Sequence, residues 1–192
     1  MAPADITVES DVESVFETIR TGPGRLDIAV NNAGIWEPGF VADIDDATWH
    51  RVLETNLTGV ALSACRDQGH VGVRRGRDRQ RVVDHRQSAA IPGTGAYGAT
   101  KAAIEALTRI AAKEYIGSGI RINTVSPSAM DTEMSLLPGE TEAERDARLG
   151  ATVPAGRIAT VDEAARAILW ACSPDASFFV GHDFVVDGGL TT

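Results

Sequence analysis

The stretch Leu26-Asp27-Ile28-Ala29-Val30-Asn31-Asn32-Ala33-Gly34 decides the fold. Leu26–Val30 is apolar but for Asp27, bounded by turn residues and too short for a helix, so it reads as a short buried strand. Asn31-Asn32-Ala33-Gly34 then carries the chain off the strand's end. Ala and Gly there let backbone approach a ligand closely, and Asn side chains can brace neighbouring strand ends; an ordinary Asn-rich turn would look the same. Upstream, Val8, Val12, Val15, Phe16 and Ile19 recur at helical spacing, with acidic residues crowding the first half and Pro23-Gly24 as the stop. Downstream, Thr48 through Leu62 is helical, with Trp49, Val52, Leu53 and Leu57 on one side. Ala96–Tyr115 predicts a long Ala-rich helix, Ile120–Val125 a strand, Val161–Cys172 a helix opened by Thr160, and Phe184–Val186 a last strand. Strands alternating with helices imply an α/β fold with a parallel sheet, one domain across residues 1–192. Such sheets bind ligands beyond the carboxyl ends of their strands.

Composition narrows the class. With 43% hydrophobic and 23% charged residues in 192, the chain has the balance of a globular protein. No apolar run reaches the roughly 18–20 residues a membrane span needs. The opening Met-Ala-Pro-Ala-Asp lacks the basic and apolar regions of a signal peptide, which makes a cytoplasmic location the expectation. Cys65 and Cys172 have no paired metal-ligand spacing and are expected as reduced, mostly buried thiols, with no metal. A net charge of -9 argues against a nucleic-acid binder, but between Arg66 and Arg86 seven Arg and three Asp make a local +4. That island lacks the interleaved aromatics of a nucleic-acid site.

The chemistry concentrates at Tyr97 and Lys101. Their Y-x-x-x-K spacing at the start of the Ala96–Tyr115 helix puts both side chains on one face. An ammonium there favours the phenolate, lowering a tyrosine's pKa from about 10 and fitting it for acid–base work on a carbinol hydroxyl. Asn56, inside a helical pattern, is a residue unfavourable to helix and so hints at a special role.

Together these residues resemble the short-chain dehydrogenase/reductase family. Leu26 through Gly34 is similar to its fourth strand and Asn-Asn-Ala-Gly motif, and Trp49 through Gly59 to the following helix with the catalytic asparagine. Tyr97-Gly98-Ala99-Thr100-Lys101 resembles the catalytic segment, Arg121 through Pro127 the sixth strand, and Asp187-Gly188-Gly189 the family's ending. The resemblance implies a doubly wound, Rossmann-like sheet and an oxidoreductase that passes hydride between NAD or NADP and a small alcohol or ketone. It implies that Tyr97 transfers the proton, Lys101 holds the nicotinamide ribose, and Asn56 positions a relay water. Asp5 and Ile6 would flank the adenine; Asn32, Ala33 and Gly34 would line the cofactor; and Pro127, Ser128, Ala129, Met130 and Thr132 would form the loop near the carboxamide, Ser128 replacing the usual glycine. Met134, Leu136 and Leu137 suggest an apolar lid. A homo-dimer or tetramer, paired through the helices holding Asn56 and Tyr97, is implied as well.

Two departures stand against this pattern. The family opens with a strand and a Gly-rich turn that cradles the pyrophosphate and helps select between the two cofactors; nothing before Asn31 matches it. The expectation is an incomplete sheet lacking the N-terminal strands and turn, roughly 50–60 residues or more than one βαβ unit. The family's catalytic serine, thirteen residues before the tyrosine, is here Asp84, in a segment Arg79–His85 that makes a poor buried strand. Back-translated and read one nucleotide later, Gly76–Arg86 permits an Ile-Val-Asn-Val-Ser-Ser run, so residues from about Arg66 to Gln87 are expected to be out of frame. A chain with both defects is expected to show no turnover by itself, and the competing reading is a non-catalytic remnant of the family.

Overall fold

The structure is a computed structural model that describes residues 3–63, 79–84 and 92–192. The arginine-rich residues 66–78, Ser88 and Cys65 lie outside them. Four strands, β1 (Ile28–Asn31), β2 (Arg79–Asp84), β3 (Ile120–Pro127) and β4 (Asp183–Val186), form one parallel sheet in the order β1-β2-β3-β4. The helices are α1 (Glu9–Thr21), α2 (Asp46–Leu53), α3 (Gly95–Tyr115), α4 (Glu142–Gly150) and α5 (Val161–Ala171).

β3 sits between two partners and is buried at all eight positions. Its alternation sorts the helices onto two faces. Ile120 and Ile122 pack with Ala112 of α3 on one side, whereas Val125 packs with Ala171 of α5 on the other, joined by Ile168, Phe184 and Val186. Helices on both faces of a parallel sheet are the doubly wound architecture. Arg121 lies on the α5 side of β3, where its guanidinium donates to the carbonyls of Ala176 (2.7 Å) and Ser173 (3.0 Å), closing the end of α5. At the sheet's other margin β1 pairs only with β2 among the described residues, and its Ile28 and Val30 are 50% and 44% exposed.

β2 departs from the sequence reading. Arg79-Gln80-Arg81-Val82-Val83-Asp84 is a poor candidate for a mid-sheet strand, yet its backbone pairs in register with β1 (Val82 beside Val30) and β3 (Val82 beside Asn123). The ladder is made by main-chain groups, and two neighbouring strands leave one slot between them for whatever chain connects them. α4 was not evident from hydrophobic periodicity because its buried residues are Arg145 and Gly150; its signal is the Thr141–Glu144 capping box. Thr160 and Glu163 form the same box and open α5 where expected.

Candidate active site

Parallel strands send their carboxyl ends to one side, and the residues that follow β1 and β3 meet there. A cleft of about 310 Å³ is lined by Asn32 and Gly34 after β1, Tyr97 and Lys101 on α3, Met130, Thr132 and Met134 after β3, and Val161, Ala164, Ala165 and Ile168 of α5. Its volume falls at the lower end of those that hold small molecules and cofactors.

Tyr97 and Lys101 sit one turn apart near the start of α3, both buried, with the Lys101 ammonium 5.3 Å from the centre of the Tyr97 ring. A cation at that range favours the phenolate over the phenol. Asn56 is 2% exposed and lies in a π-helical turn, Glu54–Gly59, that continues α2. The π turn accommodates a residue that a regular helix disfavours. Its amide reaches across 21 residues of sequence: Oδ1 accepts from the Ile35 N–H (2.8 Å) and Nδ2 donates to the Ile35 carbonyl (2.8 Å). Nδ2 also approaches the Thr100 hydroxyl (3.4 Å), which itself donates to the Tyr97 carbonyl (2.7 Å). Asn56 therefore braces the segment leaving β1 against the helix that carries Tyr97. Gly34 completes the close packing: a Cβ there would stand 3.4 Å from Asn56 Oδ1 and 3.9 Å from Lys101 Nζ.

After β3 the loop is pinned to α5's approach. The Ser128 N–H donates to the Val186 carbonyl (3.1 Å), the Ala129 carbonyl accepts from the Ala159 N–H (3.1 Å), and Asp131 accepts from the Val161 N–H (2.9 Å). Within this loop Ser128 Oγ and Thr132 Oγ1 are buried without a hydrogen-bond partner. Thr132 occupies the N-cap position of the short helix Glu133–Ser135, where a threonine hydroxyl ordinarily caps, yet its side chain makes no cap bond.

Asn32, Gly34, Tyr97, Lys101, Met130 and Thr132 thus come together at the cleft. Asn56 stands behind it; Pro127, Ser128 and Ala129 support the loop, and Ala33 is exposed. Asp5 and Ile6 do not line the cleft. The Asp5 carboxylate is held below its ordinary range by the Thr7 N–H and hydroxyl, and Ile6 packs so tightly on α2's extension that a Cβ on Gly59 would lie 2.8 Å from it. Sequence reasoning missed two contributors: Thr100, and the α5 wall Val161–Ala164–Ala165–Ile168. The wall's signal was its i, i+3, i+4, i+7 spacing, readable as core alone.

The comparisons fit this geometry. A family model described as enoyl-(acyl carrier protein) reductase matches residues 1–191. The cis-4-hydroxycyclohexanecarboxylate dehydrogenase of Sinomonas cyclohexanicum is 38% identical over 189 residues, covering 97% of this chain and 74% of that protein. The chain belongs to the short-chain dehydrogenase/reductase family. Its members act as oxidoreductases on alcohols and ketones with NAD or NADP. Ligand-free aldohexose dehydrogenase from Thermoplasma acidophilum superposes with a TM-score of 0.90 at 28% identity, covering 97% of this chain and 76% of that one. Gluconate 5-dehydrogenase from Burkholderia cenocepacia, solved with NADP and tartrate, gives 0.88 at 29% identity over 97% and 73%. The short-chain dehydrogenase/reductase fold accounts for the sheet order and for the side of the sheet on which the cleft opens. Among the described residues no group of His, Cys, Asp and Glu could hold a metal, and no helix is long and apolar enough to cross a membrane.

Proposed function

We propose that the cleft holds the nicotinamide half of NAD or NADP beside a small alcohol or ketone, and that Tyr97 moves the proton of their interconversion. The supporting observation is convergence: residues after β1, on α3 and after β3 line one cleft at the carboxyl ends of the strands. The chain's residues suit the cofactor. Thr132 offers a buried, unpaired hydroxyl at the cleft wall, and Gly34 leaves the space that a side chain would fill. Held beside Gly34 and Thr132, a nicotinamide would supply hydride to the carbonyl carbon in reduction or accept it from the carbinol carbon in oxidation. In reduction the Tyr97 hydroxyl gives its proton to the carbonyl oxygen; in oxidation the phenolate, stabilised by Lys101, takes it from the carbinol. Asn56 keeps the floor rigid through Ile35 and Thr100, and a relay water would have to be held close to it. The Met130 and Met134 side and the α5 wall give the substrate an apolar surface.

Titration of the protein with NADH and with NADPH, followed by nucleotide fluorescence, tests the cofactor reading. Binding of at least one, weakened about 3–10-fold in Thr132→Ala as one hydrogen bond is lost, is the expected result. Binding of neither refutes it.

One observation favours the remnant reading. The β2 backbone lies mid-sheet, where parallel strands are apolar on both faces, yet the sequence there carries Arg79, Arg81 and Asp84. A shifted reading frame through residues of about 66–87 explains this without discarding the site. Because Tyr97, Lys101 and the cleft around them are assembled from this chain's own residues, the reading is of a slow enzyme that lacks the serine, in place of the complete loss of turnover that the two sequence departures predict. A cytoplasmic dimer or tetramer, paired through the helices that carry Asn56 and Tyr97, is part of the same proposal. Exposed Ile110 on α3 and Trp49 on α2 support it, and sedimentation velocity checks it.

A further inference from the structure

α4 is docked in an unusual way. Most helices of this length hold to a domain by an apolar stripe. The buried side chain of Glu142–Gly150 is instead that of Arg145, 4% exposed. Its guanidinium pairs with the Asp146 carboxylate (2.8 Å from Nε, 2.7 Å from Nη2) and points Nη1 at the Thr132 carbonyl, 3.5 Å away. One turn on, Arg148 donates to the Ser135 carbonyl (3.0 Å) and is itself held by Glu140. Two arginines of one helix therefore grip the two ends of the Thr132–Ser135 turn. A buried guanidinium is costly unless its donors are met; the Asp146 carboxylate meets some of them from within α4, and the Thr132 carbonyl is the partner that ties Arg145 to the rest of the domain.

Thr132 joins this grip to the cleft. Its carbonyl receives Arg145 Nη1 and the Ser135 hydroxyl (2.6 Å), its N–H donates to the Met130 carbonyl (2.8 Å), and its own hydroxyl is left unpaired at the cleft wall. We infer that Arg145 is a positioning residue: by holding the Thr132 carbonyl from outside it turns the Thr132 hydroxyl toward the nicotinamide, so that α4 and the cofactor are read through one residue. This rests on the cofactor reading above.

A double-mutant cycle on nucleotide affinity tests it, using the full chain, NADH and NADPH as probes, and the variants Arg145→Met, Arg145→Lys, Thr132→Ala and the combination of Arg145→Met with Thr132→Ala. Arg145→Met is expected to weaken binding about 3–10-fold, the scale of one hydrogen bond, and Arg145→Lys to restore part of it. In the double variant the loss should equal that of Thr132→Ala alone, because both changes remove the same hydroxyl contact. Losses that multiply, or an unchanged affinity in Arg145→Met, overturn the inference. Should Arg145→Met fail to fold, the cycle is run with Arg145→Lys and read the same way. Hydrogen exchange at the Thr132–Ser135 amides separates the two failures. If the wild type binds neither nucleotide, the cofactor reading falls, and faster exchange in Arg145→Met still supports the grip whereas unchanged exchange overturns it as well.

Discussion

At the residue scale the site is a set of pairings with little redundancy. Asn56 closes two hydrogen bonds on one peptide, the N–H and carbonyl of Ile35. Truncation to alanine leaves both groups unpaired beside a buried cavity, at about 1–3 kcal/mol for each group that water cannot reach. Asn56→Ala should therefore lower the melting temperature by several degrees and weaken nucleotide binding, measured by calorimetry and titration. Asn56→Asp keeps the acceptor for the Ile35 N–H but loses the donors, so an intermediate effect is expected. Tyr97 and Lys101 were legible in the sequence because one helix fixes their relation, and helical spacing is a local property. The link from Asn56 to Ile35 spans 21 residues and that to Thr100 spans 44. No local pattern encodes such distances; its misfit in a helical pattern marked Asn56 as unusual, but its partners could not be read from the sequence. Ser128 was placed in the same loop by the same likeness, and its buried, unpaired hydroxyl was not foreseeable.

Elements add what residues alone do not. α5 begins with a capping box in which Glu163 also binds Arg157 (2.7 and 2.9 Å). The Arg157 guanidinium, followed by the Thr160 N–H, holds the Glu163 carboxyl at about 2, down from an ordinary 4.5. A carboxylate lowered in the folded state stabilises the fold above its unfolded value, and that contribution is lost as pH falls toward its folded value. Acid unfolding followed by circular dichroism should accordingly have a limb between about pH 4.5 and 2 that is shallower in Glu163→Gln. The effect should be modest, since the pair is exposed and salt screens it. β2 carries the other element-scale expectation. The gene, re-read with compensating one-nucleotide shifts near Arg66 and Gln87, should encode a serine thirteen residues before Tyr97, in the place of Asp84. Nucleotide sequencing decides it; no serine at that place in any frame would sink the frameshift. The alternation of β1, β3 and β4 with α1, α2, α3 and α5 was legible because hydrophobic period and turn residues are local signals. β2 was not, because its place in the sheet comes from its neighbours rather than from its own side chains.

The whole molecule assembles a cleft from segments far apart in sequence, and it is this assembly that makes an oxidoreductase out of individually ordinary motifs. Sheet order and parallel direction put the ends of β1 and β3 on the same side, α3 contributes Tyr97 and Lys101, and α5 closes the apolar side. The missing serine should make turnover slow: loss of one donor to a developing alkoxide typically lowers a rate about 10²–10³-fold. A re-read protein carrying that serine should recover a comparable factor. The most direct test is nicotinamide-linked turnover of a panel of secondary alcohols and ketones by the wild type and Tyr97→Phe, with nucleotide affinity measured on the same samples. The expected result is slow but measurable turnover in the wild type, a further loss of about 10²–10⁴ in Tyr97→Phe, and nucleotide affinity unchanged within about twofold. Equal turnover in the two proteins would contradict a proton-transfer role for Tyr97, and so the reading of this cleft as the site of hydride chemistry.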